Sequence, residues 1–213
     1  MSVNIPGMTM SGFIDALGSR TPAPGGGSAL KGEISPPIIG GGAVAALLGA
    51  SGAGLLLWAA EYAKWEEGTP DPRPRLKEIS AGLLALAQED VEVFTAFKTA
   101  QAKKSSDPAG YGRAVDAITE VPVRFCESAV EALETVPVIL RSAPRSYACD
   151  IAIGVAGLEA CADGGRLLAG VNLGFAGGPG RDSMSARLSS AGARLEKIRN
   201  SNSPLLMRAL PGK

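Results

Sequence analysis

Apolar positions recur at helical spacing along almost the whole chain. "MTMSGFIDALGS" reads as a short helix, with Thr9 or Ser11 as its cap and Gly18 as its stop. A glycine- and proline-rich loop follows. A second helix is predicted from about Gly42 to Trp65, and "EEGTPDPRPR" breaks it. A third runs from about Pro74 to Ala102 and ends at "KKSSDPAG". A fourth starts near Pro108 and continues to Thr135. Pro122 falls inside it, removes one backbone donor and should kink or split it. "VPVILRSAPRSYAC" reads as a short helix and a turn. A fifth long helix opens near Asp150 and ends by Gly174, and a last one runs from Ser183 to about Asn200. No run of alternating β-branched residues argues for a strand. The pattern predicts one all-α domain, a helical bundle spanning residues 1–213.

The segment "AVAALLGASGAGLLLWAA" (43–60) carries no charge. A helix apolar all round is either a core helix or a membrane span. This one is mostly Ala and Gly, and no Lys/Arg cluster flanks it. It is therefore expected to be the buried centre of the bundle, where small side chains let neighbouring helices approach closely. So little large apolar surface per helix also makes burial shared across a dimer plausible.

Lys plus Arg and Asp plus Glu number 21 each, which gives no electrostatic case for binding nucleic acid. Cys126, Cys149 and Cys161 have no metal-ligand spacing and suit a reduced, cytoplasmic chain. "MSVNIPGMTM" lacks the charged start and apolar core of a signal peptide. There is no histidine. That excludes Ser-His-Asp and Cys-His catalysis and imidazole zinc sites. Acid–base chemistry must then use Asp, Glu, Lys, Tyr or water.

Four places break the ordinary pattern. Leu83, Ala87, Asp90, Phe94 and Phe97 share one helical stripe, so Asp90 puts a carboxylate among apolar neighbours. It is either paired, with Arg124 as the candidate partner, or faces a ligand cavity. Glu120 and Arg124 stand at i, i+4 beside Pro122, as a surface ion pair or as part of a pocket wall. Asp150, in "SYACDIAIGVAGLEA", reads as an N-cap, and Asn172, in "GVNLGF", as a C-cap.

Taken in order, "FIDALGSRTPAPGGGSA", "GGGAVAALLGASGAGLLL", "EDVEVFTAF", "ITEVP", "CDIAIGVAGLEA" and "VNL" span nearly the whole chain. The set resembles the family of formiminotetrahydrofolate cyclodeaminases and methenyltetrahydrofolate cyclohydrolases. The resemblance implies an all-α homodimer with the folate in a cleft near the glycine loop. It implies closure of formiminotetrahydrofolate to methenyltetrahydrofolate with release of ammonia, or addition of water to the methenyl bridge. Both pass through a tetrahedral carbon between two nitrogens and require no metal. No tightly bound cofactor is expected; a tetrahydrofolate derivative enters as substrate. By the same match, Asp150 becomes the candidate acid–base group. Asp90, Glu120 and Asn172 become candidate substrate contacts.

The family's single Pro-Thr-Pro-Gly-Gly-Gly-Ser loop runs directly into its first long helix. Here the features are divided. "RTPAPGGGSAL" keeps the prolines, Gly26, Gly27 and Ser28; "PPIIGGGAVAALLGA" keeps Gly40, Gly41, Gly42 and the direct entry into the helix. Backbone N–H groups at a helix start receive anionic or carbonyl groups, so the second copy is assigned to the ligand. Residues 28–42 then read as an insertion, acting as a lid, a plug or a neutral loop.

Other positions depart from the family. Its lysine-rich run after the first long helix is "EYAKWEEGTPDPRPR" here, its Asn-x-x-Ser-Asp is "SYACD", and Leu168 stands for the first Asn of Asn-Val-x-x-Asn. Loss of hydrogen-bonding groups points to a changed ligand. The chain is thus expected to be a folate-linked enzyme acting on a C–N bond. The alternatives are a diverged enzyme on a non-folate substrate and a silent small-molecule-binding dimer. The expected partners are a small molecule and a second copy, not a membrane.

Overall fold

The structure, a computed structural model, describes residues 4–18 and 40–209. Gly26, Gly27, Ser28 and most of the 28–42 segment lie outside these residues. All regular elements among the described residues are helical: α1 (Met10–Gly18), α2 (Gly41–Glu61), α3 (Arg73–Ala102), α4 (Pro108–Leu133), α5 (Val136–Ser142), α6 (Ala148–Leu173) and α7 (Gly178–Ala209), with two short 3-10 turns.

The local signals explain most boundaries. Thr9 caps α1, its Oγ1 accepting the Gly12 N–H at 3.1 Å. Asp107 caps α4 by accepting from the Gly110 N–H at 2.8 Å, with Pro108 at the first helical position. Pro122 neither splits nor ends α4, which runs continuously past it.

Four long helices form a ring. α2 packs against α3 and α6, and α4 closes the ring on the far side against those same two. Neighbours run antiparallel. Gly42 lies against Asp90, while Ser80 donates to the Ala50 carbonyl further along α2. On the other side, Gly164 faces Ala45, Gly49 faces Cys161 and Gly52 faces Gly154 and Leu158. α7 lies across α4 and α6.

The expected role of α2 is realised with one addition. Gly42, Ala43, Ala45, Ala46, Gly49, Ala50, Gly52, Ala53, Leu56, Ala59 and Ala60 are buried. A Cβ on Gly52 would come within 2.5 Å of the Gly154 carbonyl, so α2 and α6 touch through their backbones. By length and composition alone α2 could cross a membrane, but half of its most apolar window is inside the bundle. Its remaining side, with Leu48 and Trp58, faces outward.

Candidate functional site

One cavity draws on all four helices of the ring. Its volume is about 240 Å³, and its walls are Gly40, Gly41 and Gly42 from the start of α2, Asp90, Val93 and Phe94 from α3, Ile118 and Pro122 from α4, and Leu168 and Asn172 from α6. It sits at the end of the bundle where α2 begins and α6 finishes. The lining is mostly apolar with a few convergent polar groups, the usual character of a small-molecule site.

Asp90 is the charged residue in that lining. It takes a hydrogen bond from the Ala43 backbone N–H in the first turn of α2. Burial pushes its carboxyl up to about 6, and the Ala43 bond opposes the rise. No arginine or lysine pairs with it among the described residues: Arg124 instead binds Glu89, at 2.7 and 2.8 Å. Of the two alternatives for Asp90, the pair with Arg124 is not formed, and the carboxylate lines a cavity, held at a helix start. The fit depends on Gly42, where any Cβ would overlap the Asp90 carboxylate. Gly40, the N-cap of α2, has no side chain to cap the first-turn donors.

Asn172 does not cap α6; Gly174 occupies that position. Its Nδ2 donates instead to the Ile118 carbonyl at 2.7 Å. Pro122 stands four residues after Ile118 and has no N–H to offer that carbonyl. The bond leaves the Asn172 Oδ1 as an acceptor at the cavity wall.

Two other expected residues lie elsewhere. Glu120 does not pair with Arg124. Arg187 of α7 binds it at 2.7 and 2.9 Å and binds Glu127, two turns further along α4, as well. Asp150 is not an N-cap, since Tyr147 holds that position. Asp150 lies in the first turn of α6, at the opposite end from Asn172. Twenty-two residues of helix separate them by about 33 Å at 1.5 Å per residue. Within one chain Asp150 is therefore remote from the cavity walled by Gly40–Gly42.

The wall residues Val93 and Ile118 were not singled out from the sequence, and Pro122 was read there as a break in α4 beside a possible pocket wall. Val93 and Ile118 look like ordinary core positions until the ends of four helices are assembled.

No curated protein matches the sequence. The fold resembles the crystal structure of formiminotetrahydrofolate cyclodeaminase from Thermotoga maritima, with a TM-score of 0.77, 20% identity, and coverage of 96% of this chain and 98% of that one. At that identity the likeness is one of fold. The family model for formiminotransferase-cyclodeaminase matches residues 33–177, which include Gly40–Gly42, Asp90, Pro122, Leu168 and Asn172. By that match, over more than half its length, the chain belongs to the formiminotransferase-cyclodeaminase family.

Proposed function

We propose that this protein is an enzyme acting on a C–N bond of a tetrahydrofolate-linked one-carbon unit, by cyclodeamination or by addition of water to a methenyl bridge. The observation that carries this reading is the convergence of Asp90, the Gly40–Gly42 turn and Asn172 on one apolar cavity inside the family-matched region.

The roles follow from the geometry. A carboxyl whose pKa lies near 6 is populated in both forms close to neutrality. Asp90 would take a proton from the attacking nitrogen or water and return it to the departing ammonia or ring nitrogen. In its ionised form it would stabilise positive charge on the methenyl or iminium carbon. The Gly41 and Gly42 N–H groups would hold a carbonyl or anionic edge of the substrate. Asn172 Oδ1 would accept a ring N–H, while Phe94, Ile118 and Leu168 exclude water from a planar ring.

Calorimetry with tetrahydrofolate derivatives, together with the decay of methenyltetrahydrofolate absorbance, tests this. Binding and accelerated decay that vanish in Asp90→Asn support it. Unchanged turnover in that variant removes Asp90 from the chemistry.

A second reading rests on Leu168. An aliphatic wall stands where the family pattern has an amide, so the same machinery would serve a less polar, non-folate imine or aminal. Absence of any tetrahydrofolate binding, with the fold intact, favours it.

A further inference from the structure

A second cavity lies at the other end of α6. Its volume is about 290 Å³, somewhat larger than the cavity at Gly40–Gly42. It forms where α5 ends, α6 begins and the end of α7 meets both. Ile151 in its wall and Leu168 in the other are seventeen residues apart on α6, about 25 Å at 1.5 Å per residue. The two cavities share no residue.

A break in the chain opens this space. Ala143 ends α5, its N–H donating to the Ile139 carbonyl at 2.7 Å. Pro144 follows, and the residue before a proline is held extended, so α5 cannot run on into α6. The chain turns through Arg145–Tyr147 before α6 starts. Small side chains at Ala143, Ala148 and Ala209 leave the corner unfilled. Pro137, Leu140, Ile151 and Leu205 supply apolar walls.

Two guanidinium groups stand in the same wall, Arg141 and Arg145, and no carboxylate stands with them. Arginine in other cavity walls is matched by acids. Between α3 and α4, Arg75 and Arg124 face Glu78, Glu127 and Glu131; between α6 and α7, Arg166 faces Asp163. Arg145 is tied to the end of α7, its Nε donating to the Ala209 carbonyl at 3.2 Å. Arg141 makes no ion pair among the described residues. Its place in the last turn of α5 favours a cation through the helix dipole. That accounts for the charge but not for the apolar hollow beside it.

An apolar hollow edged by an unmatched guanidinium is complementary to a small organic anion with an apolar body. The guanidinium offers a carboxylate two parallel N–H groups, and the walls cover the body. Ligand pockets begin near ~300 Å³, so the ligand is about the size of a bicyclic carboxylic acid. We infer that the corner between α5, α6 and α7 is a second binding site, for a small carboxylate with an apolar body, and that Arg141 is its anion-binding group. The site is separate from the Gly40–Gly42 cavity and stands whether or not the reaction proposed there is correct.

Calorimetry on the full chain with 2-naphthoate as the probe decides it. The native chain should bind the probe. In Arg141→Gln the affinity should fall about tenfold or more, the loss expected for a hydrogen bond to a charged group. Ala209→Phe fills the corner from the end of α7 and should remove binding by a second route, with α7 still folded by circular dichroism. Asp90→Asn, in the other cavity, should leave the affinity unchanged. The uncharged 2-naphthamide and inorganic phosphate should each bind about tenfold more weakly or worse, since each lacks one half of the ligand. No binding by the native chain at millimolar probe overturns the inference. Equal affinity in Arg141→Gln, or equal affinity for 2-naphthamide, shows a hollow that does not read charge and overturns it. Equal affinity for phosphate shows an anion site that does not use the apolar walls and overturns it as well. Loss of binding in Asp90→Asn with none in Arg141→Gln places the probe in the Gly40–Gly42 cavity instead.

Discussion

Asn172 supplies from α6 the hydrogen bond that Pro122 denies to the Ile118 carbonyl of α4. The proline thus sits inside α4 without leaving that acceptor unmet, and the bond fixes the rotamer of a cavity-lining amide. Asn172→Ala should lower stability by about 1–3 kcal/mol, the usual cost of stranding a buried polar group. Urea denaturation measures it. Pro122→Ala should relieve the defect, because residue 122 then donates to Ile118 itself. If Asn172→Ala costs the same in both backgrounds, the two residues are not coupled in this way.

Asp90 gives stability a defined pH dependence. Its carboxyl is raised from 3.8 to about 6 in the folded chain, so between those values the folded state holds more protons than the unfolded state. Its contribution is full below about pH 4 and is lost as pH rises through 6, with about 2–3 kcal/mol at stake. Denaturation midpoints from pH 4 to pH 7 should fall less steeply in Asp90→Asn than in the native chain. Parallel profiles would show that Asp90 titrates normally.

Gly42 and Asp90 are sterically interlocked, since a Cβ at position 42 would occupy the space of the carboxylate. Gly42→Ala should therefore displace Asp90 and reduce turnover at least tenfold. The double variant Gly42→Ala with Asp90→Ala should be more stable than Gly42→Ala alone, because the overlap is gone. Thermal melts of the set provide the check.

Only one of the three thiols should react readily in the native protein. Cys126 and Cys161 are buried, and burial pushes their thiols up to about 11 and about 12. Cys149 is exposed on a single chain. Titration with a thiol reagent should show one fast equivalent. Three equal rates would contradict the packing around α2 and α6.

The order and number of long helices were legible in the sequence because each carries its own apolar stripe. Their ends were less so. α2 stops at Glu61 rather than Trp65, and the Lys64 N–H leaves the helix for the Ser142 carbonyl. α7 begins at Gly178 and runs through Pro204 to Ala209, where a polar stretch read as its end. The buried Asn202 anchors that stretch by donating to the Leu133 carbonyl, a contact 69 residues away in sequence. In the site, Asp90 was legible as an acid on an apolar stripe, but its neighbour was not. Ala43 and Glu89 are placed by helix packing, and Glu120 meets Arg187 across 67 residues. Local spacing suggested Arg124 for Glu120 because it sees only one helix at a time, and it offers no rule for a partner of Asp90 on another helix.

The cavity lies between the first turn of one helix and the last turn of another, at Gly41–Gly42 and at Leu168–Asn172. Helix ends fray, opening and reclosing at little free-energy cost while the middle of the bundle stays folded. Ligand exchange can thus proceed by local melting of two termini, with no hinge between rigid bodies. Amide hydrogens of Gly41, Gly42 and residues 170–173 should exchange quickly in the empty protein and slow sharply when the cavity is filled, while those at the Gly52–Gly154 crossing remain protected throughout.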